Sequence, residues 1–262
     1  CHTATPHTSG SKANDHTDKV ACQTCHIPEF AREKPTKMSW DWSKAGDTKD
    51  GKAYKTKDEF GKYDYMSIKG QMKWAKNVAP EYYWFNGSIE SLTLADAVDP
   101  ESIVPVSRPI GSPDDENARI YPFKVHRGVQ PYDVKHKTLL APLLSGNDGY
   151  WKTLDWQRAL SKGMDAVELP YSGDFDFVET TYVFPITHMV APKENVVNCT
   201  QCHVKEGSRL TAISGVYMPG RDTSNIVNSL GWMIVLGSLV GVMVHGFGRF
   251  IANGNGRGRK EN

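Results

Sequence analysis

Two copies of the pattern Cys-x-x-Cys-His constrain this chain more than any other feature of its sequence. In this pattern both thiols can add to the vinyl groups of one haem, and the adjacent histidine can bind its iron. The chain is therefore expected to fold around covalently attached haem c. The residues of the two copies are Cys22, Cys25 and His26, and Cys199, Cys202 and His203.

The first two residues, Cys1 and His2, match the end of a third such pattern. We expect the missing cysteine of that pattern to lie upstream, so that all 5 cysteines of the chain attach haem. At least three haems are then predicted, the first only partly represented in this chain. Two Cys-x-x-Cys pairs could instead form a zinc site, but the histidine that follows both pairs favours haem.

The remaining histidines supply candidates for the second axial ligand that low-spin haems need. His2, His26 and His203 are the proximal ligands by position in the motif. The distal candidates outnumber these three, so we expect the surplus to serve haems of an upstream segment or a neighbouring subunit. The candidates are His7, His16, His126, His136 and His188.

Residues 226–248 form a long apolar run without Asp, Glu, Lys or Arg. As a helix this run would extend about 34 Å, which is enough to cross a bilayer core. Basic residues follow it, and the positive-inside rule then puts the C-terminus in the cytoplasm. We predict a single-pass inner-membrane protein. Its regions are a periplasmic part at 1–220, the span at 226–248 and a cytoplasmic basic tail at 249–262.

Within the span, Gly237, Gly241 and His245 recur every four residues and share one face of the helix. Two glycines at this spacing allow another helix to approach closely. We therefore predict contact with an integral membrane subunit, cytochrome b-like or quinone-reactive.

The periplasmic part is expected to be mainly α-helical with much irregular loop, packed around its haems. Haem segments at 1–30 and 186–220 flank a haem-free, aromatic-rich middle at 31–185. Frequent Pro and Gly in this middle region predict only short regular elements. We predict helices at 90–97 and 150–162 and an extended segment at 175–184. The tryptophans of the middle are expected to pack around porphyrin edges, and these are Trp40, Trp42, Trp74, Trp84, Trp151 and Trp156.

Several ordered blocks between residues 1 and 205 resemble the C-terminal half of the octahaem tetrathionate reductase family of multihaem cytochromes c. The blocks are WDWSKAG at 40–46, EYYWFNG at 81–87, IYPFKVHRG at 120–128, LPYSG at 169–173 and PITHMVAPK at 185–193. The resemblance implies a periplasmic protein with eight haems, mostly bis-histidine, and one active-site haem with a lysine ligand. No position of this chain matches that lysine, so no catalytic residue is assigned.

The function predicted from these features is electron relay between a quinone-linked membrane partner and a periplasmic redox enzyme or acceptor. The alternative is a catalytic octahaem reductase of tetrathionate or of nitrogen oxyanions and hydroxylamine. In that case Lys124, His126 and Arg127 are candidates for contact with an anion or a haem propionate. A formal net charge of only +1 gives no reason to expect nucleic-acid binding.

Overall fold

The structure is a computed structural model that describes Thr3 and residues 5–257. Within the described residues the chain forms two compact units. The first runs to Cys199 and also includes Arg209–Val216, and the second comprises Thr200–Ser208 and the residues from Tyr217 onward. Cys1 and His2, the expected end of a third haem motif, lie outside the described residues.

A mixed β-sheet dominates the first unit. Its order is β4-β5-β6-β1-β11-β12-β9, and β7 also pairs with β11. The β1–β11 and β12–β9 pairings are parallel, whereas the other pairings of this sheet are antiparallel. The strands are β1 (Thr36–Asp41), β2 (Thr48–Lys49), β3 (Lys52–Ala53), β4 (Lys55–Lys57), β5 (Tyr63–Met66), β6 (Gly70–Ala75), β7 (Glu81–Phe85), β8 (Ile89–Ser91), β9 (Val104–Pro105), β10 (Ser107–Pro109), β11 (Arg119–Asp133) and β12 (Phe175–Pro185).

The helices are short except for the last. Three single turns of 3₁₀ helix also occur, at Asn14–His16, Trp42–Lys44 and Lys193–Asn195. The α-helices are α1 (Cys22–His26), α2 (Tyr150–Thr153), α3 (Trp156–Ala166), α4 (Cys199–Cys202) and α5 (Asn225–Arg257).

The expectation of a mainly α fold with much irregular loop is wrong, because the middle of the chain folds into this sheet. The long strands β11 and β12 pair without interruption from Phe123 opposite Pro185 to Asp133 opposite Phe175. Both are rich in aromatic and β-branched residues, which favour strands. The prolines inside β11 do not break it, since the φ angle that proline imposes is compatible with an extended chain.

Three more local predictions had different outcomes. The strand expected at 175–184 is confirmed as β12. The helix expected at 150–162 is divided into α2 and α3 at Leu154, which adopts a left-handed φ of 53°, and Asp155 then caps α3. The helix expected at 90–97 is wrong, because this segment begins in β8, which pairs with β10.

The core of the first unit lies against β11 and β12. Phe123, Val125 and Val183 form one buried cluster on these strands. A second cluster joins the residues just after the first haem motif to the end of β12, through Ile27, Phe30 and Ile186. The sheet therefore supports the first motif directly.

In the second unit, α5 is the one helix of the described chain that is long and apolar enough to cross a membrane. Its segment Asn225–Ala252 has a mean hydropathy of 1.9, and none of it is buried. The predicted span at 226–248 falls inside this segment, and the helix continues beyond it to Arg257.

Candidate functional site

The first haem motif is a single helical turn fixed to strand β11. The backbone N–H of Ala21 and the hydroxyl of Thr24 both donate to the carbonyl of Ile120, at 3.0 and 2.7 Å. Thr24 is thereby buried, whereas Cys22 and Cys25 are half-buried. Residues three apart share one side of a helix, so this turn presents both thiols together.

His26 lies at the end of this turn, next to a second imidazole. The ring centroids of His26 and His7 are 5.9 Å apart, and the ring planes differ by only 7°. Burial lowers the pKa of His26, and the proximity of His7 lowers it further. Both effects favour the neutral imidazole, which is the form that binds metals.

The centroid separation of these two rings matches that of two imidazoles bound to one metal ion. A bond from a metal to an imidazole nitrogen is about 2 Å long, so two such bonds on opposite sides separate the ring centroids by about 6 Å. Paired thiols on one turn, a histidine beside them and a second imidazole at this distance satisfy what haem c requires of a protein.

An aromatic cluster adjoins the first motif. Tyr83, Phe85, Tyr121 and Phe123 contact one another edge to face, with centroids 5.1 to 5.8 Å apart. Burial raises the pKa of Tyr121, so this phenol stays neutral. The sequence analysis did not name these four aromatic residues as candidates for contact with a haem. The alternation of apolar residues in β11 could have indicated them.

The tryptophans named as candidates for porphyrin packing mostly contact other parts of the protein. Trp40 stacks on Trp42 at 4.6 Å, and Trp42 meets Trp156 edge to face at 5.9 Å. The indole N–H groups of Trp74 and Trp84 donate to backbone carbonyls, whereas Trp151 is 39% exposed. Their contact with porphyrin stays a prediction.

The segment that leads to the second motif packs on the first. The N–H of Ala191 donates to the carbonyl of His26 at 2.8 Å, and that of Val197 donates to Cys25 at 2.9 Å. Both Ala191 and Val197 are buried. Two backbone hydrogen bonds thus connect the first motif to the chain just ahead of Cys199.

The second motif begins with α4, which ends at Cys202, and continues with His203. Nδ1 of His203 lies 2.8 Å from the carbonyl oxygen of Pro219, and the Ser208 hydroxyl donates to the carbonyl of Cys202 at 2.7 Å. Gly220 has a φ of +85°, and a Cβ there would lie 2.6 Å from the carbonyl oxygen of His203. Glycine is therefore required where the loop returns to the motif.

The other histidine candidates are distributed over separate elements. His16 ends a 3₁₀ turn, with its Nδ1 2.9 Å from the carbonyl of Lys12. His126 is half-buried on β11, and its Nδ1 lies 3.2 Å from the carbonyl of Lys37. His136 follows β11, with its Nδ1 3.2 Å from the carboxylate of Asp133. His188 is exposed after β12.

A proton on Nδ1, held by an oxygen acceptor, leaves the lone pair on Nε2 for a metal. Among the described residues, no group of three or more His, Cys, Asp or Glu side chains could hold a metal ion by itself. A haem iron differs from a structural zinc in this respect, because the porphyrin supplies most of its ligands and the protein adds one or two.

The residues of the predicted membrane seam all lie on α5. Gly237, Gly241 and His245 are exposed in the described structure, and apart from neighbouring residues and the nearby helix backbone no described atom lies within 4 Å of where a Cβ of either glycine would be. Their role in binding a partner stays a prediction.

Comparison with known proteins gives two matches. A family model described as "Cytochrome c bacterial" matches residues 37–206. The crystal structure of octaheme cytochrome c from Shewanella oneidensis is similar to this chain, with 43% sequence identity and a TM-score of 0.73. The similarity covers 79% of this chain, and the chain spans 48% of the length of that protein. No curated protein sequence matches significantly.

These matches and the haem motifs agree. The family match extends from Lys37 in β1 through β12 to the second motif, and the structural match is to a protein with eight haems. The resemblance to octahaem cytochromes is therefore confirmed. The chain belongs to the bacterial cytochrome c family, as an octahaem-like multihaem cytochrome c with covalently bound haem c.

Proposed function

We propose that this protein is a membrane-anchored electron relay, which passes electrons between a quinone-linked membrane partner and a periplasmic redox enzyme or acceptor. The observation that carries this proposal is the pairing of His7 with His26, at a ring separation of 5.9 Å. His7 and His26 would both bind the iron of that haem and would leave no position for a substrate, which is typical of electron transfer.

The chain contributes attachment, axial ligation and burial. Haem c, when bound, supplies the one-electron redox couple. Cys22 and Cys25 hold one haem with His26 as its proximal ligand, and Cys199 and Cys202 hold another with His203. The aromatic cluster of Tyr83, Phe85, Tyr121 and Phe123 would give a haem at the first motif an apolar neighbour.

We assign the other candidate histidines as distal ligands of further haems. For His16, His126 and His136 the support is the hydrogen bond at Nδ1, which selects the tautomer with a lone pair on Nε2. For His188 the support is its setting, since the adjacent Met189 and Val190 are 44% and 57% exposed. Exposed apolar side chains beside an imidazole suit the face of a porphyrin.

We assign α5 as a single inner-membrane span, with residues 1–220 in the periplasm and the C-terminus in the cytoplasm. The support is its apolar, unburied segment and the basic residues that follow it. Gly237, Gly241 and His245 then form a seam for an integral membrane subunit that is cytochrome b-like or quinone-reactive.

The spectrum of the native protein tests the relay. Electron paramagnetic resonance of the oxidised protein is expected to contain low-spin ferric signals alone. A substantial high-spin signal that changes when tetrathionate, nitrite or hydroxylamine is added, together with reoxidation of the reduced protein by that compound, would instead establish the catalytic reductase. The support for this alternative function, the catalytic reductase, is the similarity of the chain to an octahaem cytochrome.

Co-purification tests the membrane partner. The detergent-solubilised native protein is expected to migrate as a complex with an integral membrane subunit. His245→Ala and Gly241→Leu are expected to weaken that complex, while Gly246→Leu, on another side of the helix from Gly241, serves as the control. A native protein that migrates as a bare monomer would contradict the seam.

A further inference from the structure

Two lysines lie close together on β1 and β11, two neighbouring strands inside the sheet. Lys124 on β11 donates from Nζ to the hydroxyl of Thr36 at 2.7 Å. Lys37 on the neighbouring strand β1 rests with its Nζ 3.8 Å from the ring centroid of Trp40. The carbonyl of Lys37 also accepts the hydrogen bond of His126. These contacts fix both cationic side chains on adjacent strands.

The two lysines have no acidic partner among the described residues. Neither Lys37 nor Lys124 takes part in an ion pair, and both are half-buried. The positive charges of Lys69 and Lys124 both act on Lys37. Cations that repel one another in a partly desolvated place are stabilised by a bound anion.

Arg127 does not belong to this cluster, although it is close in sequence. Its guanidinium donates to Glu81 at 2.9 Å, so its charge is already balanced. Successive side chains of a strand point to opposite faces, which separates Arg127 from both Lys124 and His126. From the sequence, Lys124, His126 and Arg127 were candidates for contact with an anion. The structure favours Lys124 among these three and adds Lys37 on the neighbouring strand.

An exposed apolar surface adjoins the lysines. Phe184 lies opposite Lys124 in the β11–β12 register, and its ring centroid is 5.7 Å from the lysine Nζ. Phe184 is 51% exposed, and the chain continues to the exposed Met189 and Val190 around His188. An apolar surface that ends at two cations matches an amphipathic anion, with an apolar body and a carboxylate.

We propose that Lys37 and Lys124 bind the carboxylate or oxyanion group of such a ligand, and that the group is a haem propionate. The identity of the ligand rests on the proposed function, in which His188 is an axial ligand of a haem. The other source of the same chemistry is a free oxyanion, such as sulfate or tetrathionate.

Redox titration of the native, purified protein tests the site. Lys37→Met and Lys124→Met each leave a propionate unbalanced, which favours the ferric state. One haem component is therefore expected to shift to lower potential, so that its ratio of oxidised to reduced form at fixed potential rises about fivefold to tenfold. Lys124→Arg is expected to restore the native value, and Lys52→Met on the exposed hairpin of β2 and β3 is the matched control.

Thermal unfolding with added anion separates the two sources. If all potentials are unchanged in the variants, but sulfate or tetrathionate raises the melting temperature of the native protein and not that of Lys37→Met, the site binds a free oxyanion. If Lys37→Met and Lys124→Met have the same haem potentials as the Lys52→Met control, and the same change in melting temperature when anion is added, the site does not exist.

The axial ligand is tested apart from the lysines. His188→Ala is expected to convert one low-spin haem to a high-spin form. A variant that stays fully low-spin would remove His188 as a ligand, while a shifted potential in Lys124→Met would still support the anion site.

Discussion

At the scale of single residues, one hydrogen bond decides which nitrogen of a histidine faces a metal. In four of the candidate histidines Nδ1 lies within hydrogen-bond distance of an oxygen, so Nε2 keeps the lone pair. These contacts join His16 to Lys12, His126 to Lys37, His136 to Asp133 and His203 to Pro219. The sequence does not reveal such contacts, because three of the four acceptors are backbone carbonyls whose positions depend on the fold.

Loss of His7 tests the axial pair directly. In His7→Ala the iron beside His26 would lose its sixth ligand, so one low-spin signal is expected to become high-spin. Electron paramagnetic resonance measures this change, and added imidazole is expected to reverse it. A spectrum that matches the native one would show that His7 is not a ligand.

Asp133 makes the turn after β11 sensitive to acid. Its carboxylate is fully buried. Burial would raise its pKa, but donations from the N–H groups of His136, Ser172 and Lys135 and from the Ser172 hydroxyl lower the pKa to about 2. A carboxylate whose pKa is lower in the folded protein than in the unfolded protein stabilises the fold at pH values above its pKa in the unfolded protein, which is about 4. This contribution is lost as the pH falls through the pKa of the group in the folded protein.

We therefore expect Asp133→Asn to reduce the free energy of unfolding by about 2 to 3 kcal/mol at pH 7. The difference from the native protein should shrink between about pH 5 and pH 2. Denaturant titrations over this range measure it, and Asp174→Asn on the nearby exposed chain is the control. A difference that is constant with pH would contradict the role given to the Asp133 charge.

At the scale of elements, the haem motifs were predictable from sequence and the sheet was not. Cys22, Cys25 and His26 act within one helical turn, so their spacing alone specifies their geometry. The pairing of β1 with β11 joins segments far apart in sequence, and no local pattern specifies such a partner. Pro122 and Pro131 suggested interruptions where the structure has one continuous strand.

Close packing between β11 and β12 depends on Gly128. A Cβ at this position would lie 2.7 Å from the hydroxyl oxygen of the buried Thr180. Gly128→Ala is therefore expected to destabilise the fold by about 1 to 3 kcal/mol through overpacking. Chemical denaturation followed by circular dichroism measures the loss.

Thr180→Ala tests this contact, because it removes the hydroxyl oxygen that the methyl group introduced by Gly128→Ala would overlap. The double variant is expected to be more stable than the sum of the two single changes predicts. Strict additivity of the two effects would contradict this contact.

At the scale of the whole molecule, α5 is the element that we propose to span the membrane. Val240 lies near the middle of the apolar segment and is exposed. Val240→Arg would put a charge at the centre of the bilayer, at a cost of about 2.5 to 3.5 kcal/mol on insertion scales.

The variant is expected to be extracted from membranes by alkaline carbonate, while the native protein and the control Val240→Leu resist extraction. The haem absorption spectrum of the released protein should equal that of the native one. Full resistance of Val240→Arg to extraction would contradict a single bilayer span.

The two backbone hydrogen bonds from Ala191 and Val197 to the first motif have a consequence for maturation in the cell. They close a chain loop from Cys25 to Val197, and so distant a contact forms late in folding. Until this loop closes, the thiols of Cys22 and Cys25 therefore stay accessible. This interval allows haem to be attached to the two thiols. It also exposes both thiols to oxidation. Production of intact protein therefore depends on keeping these thiols reduced until haem is added.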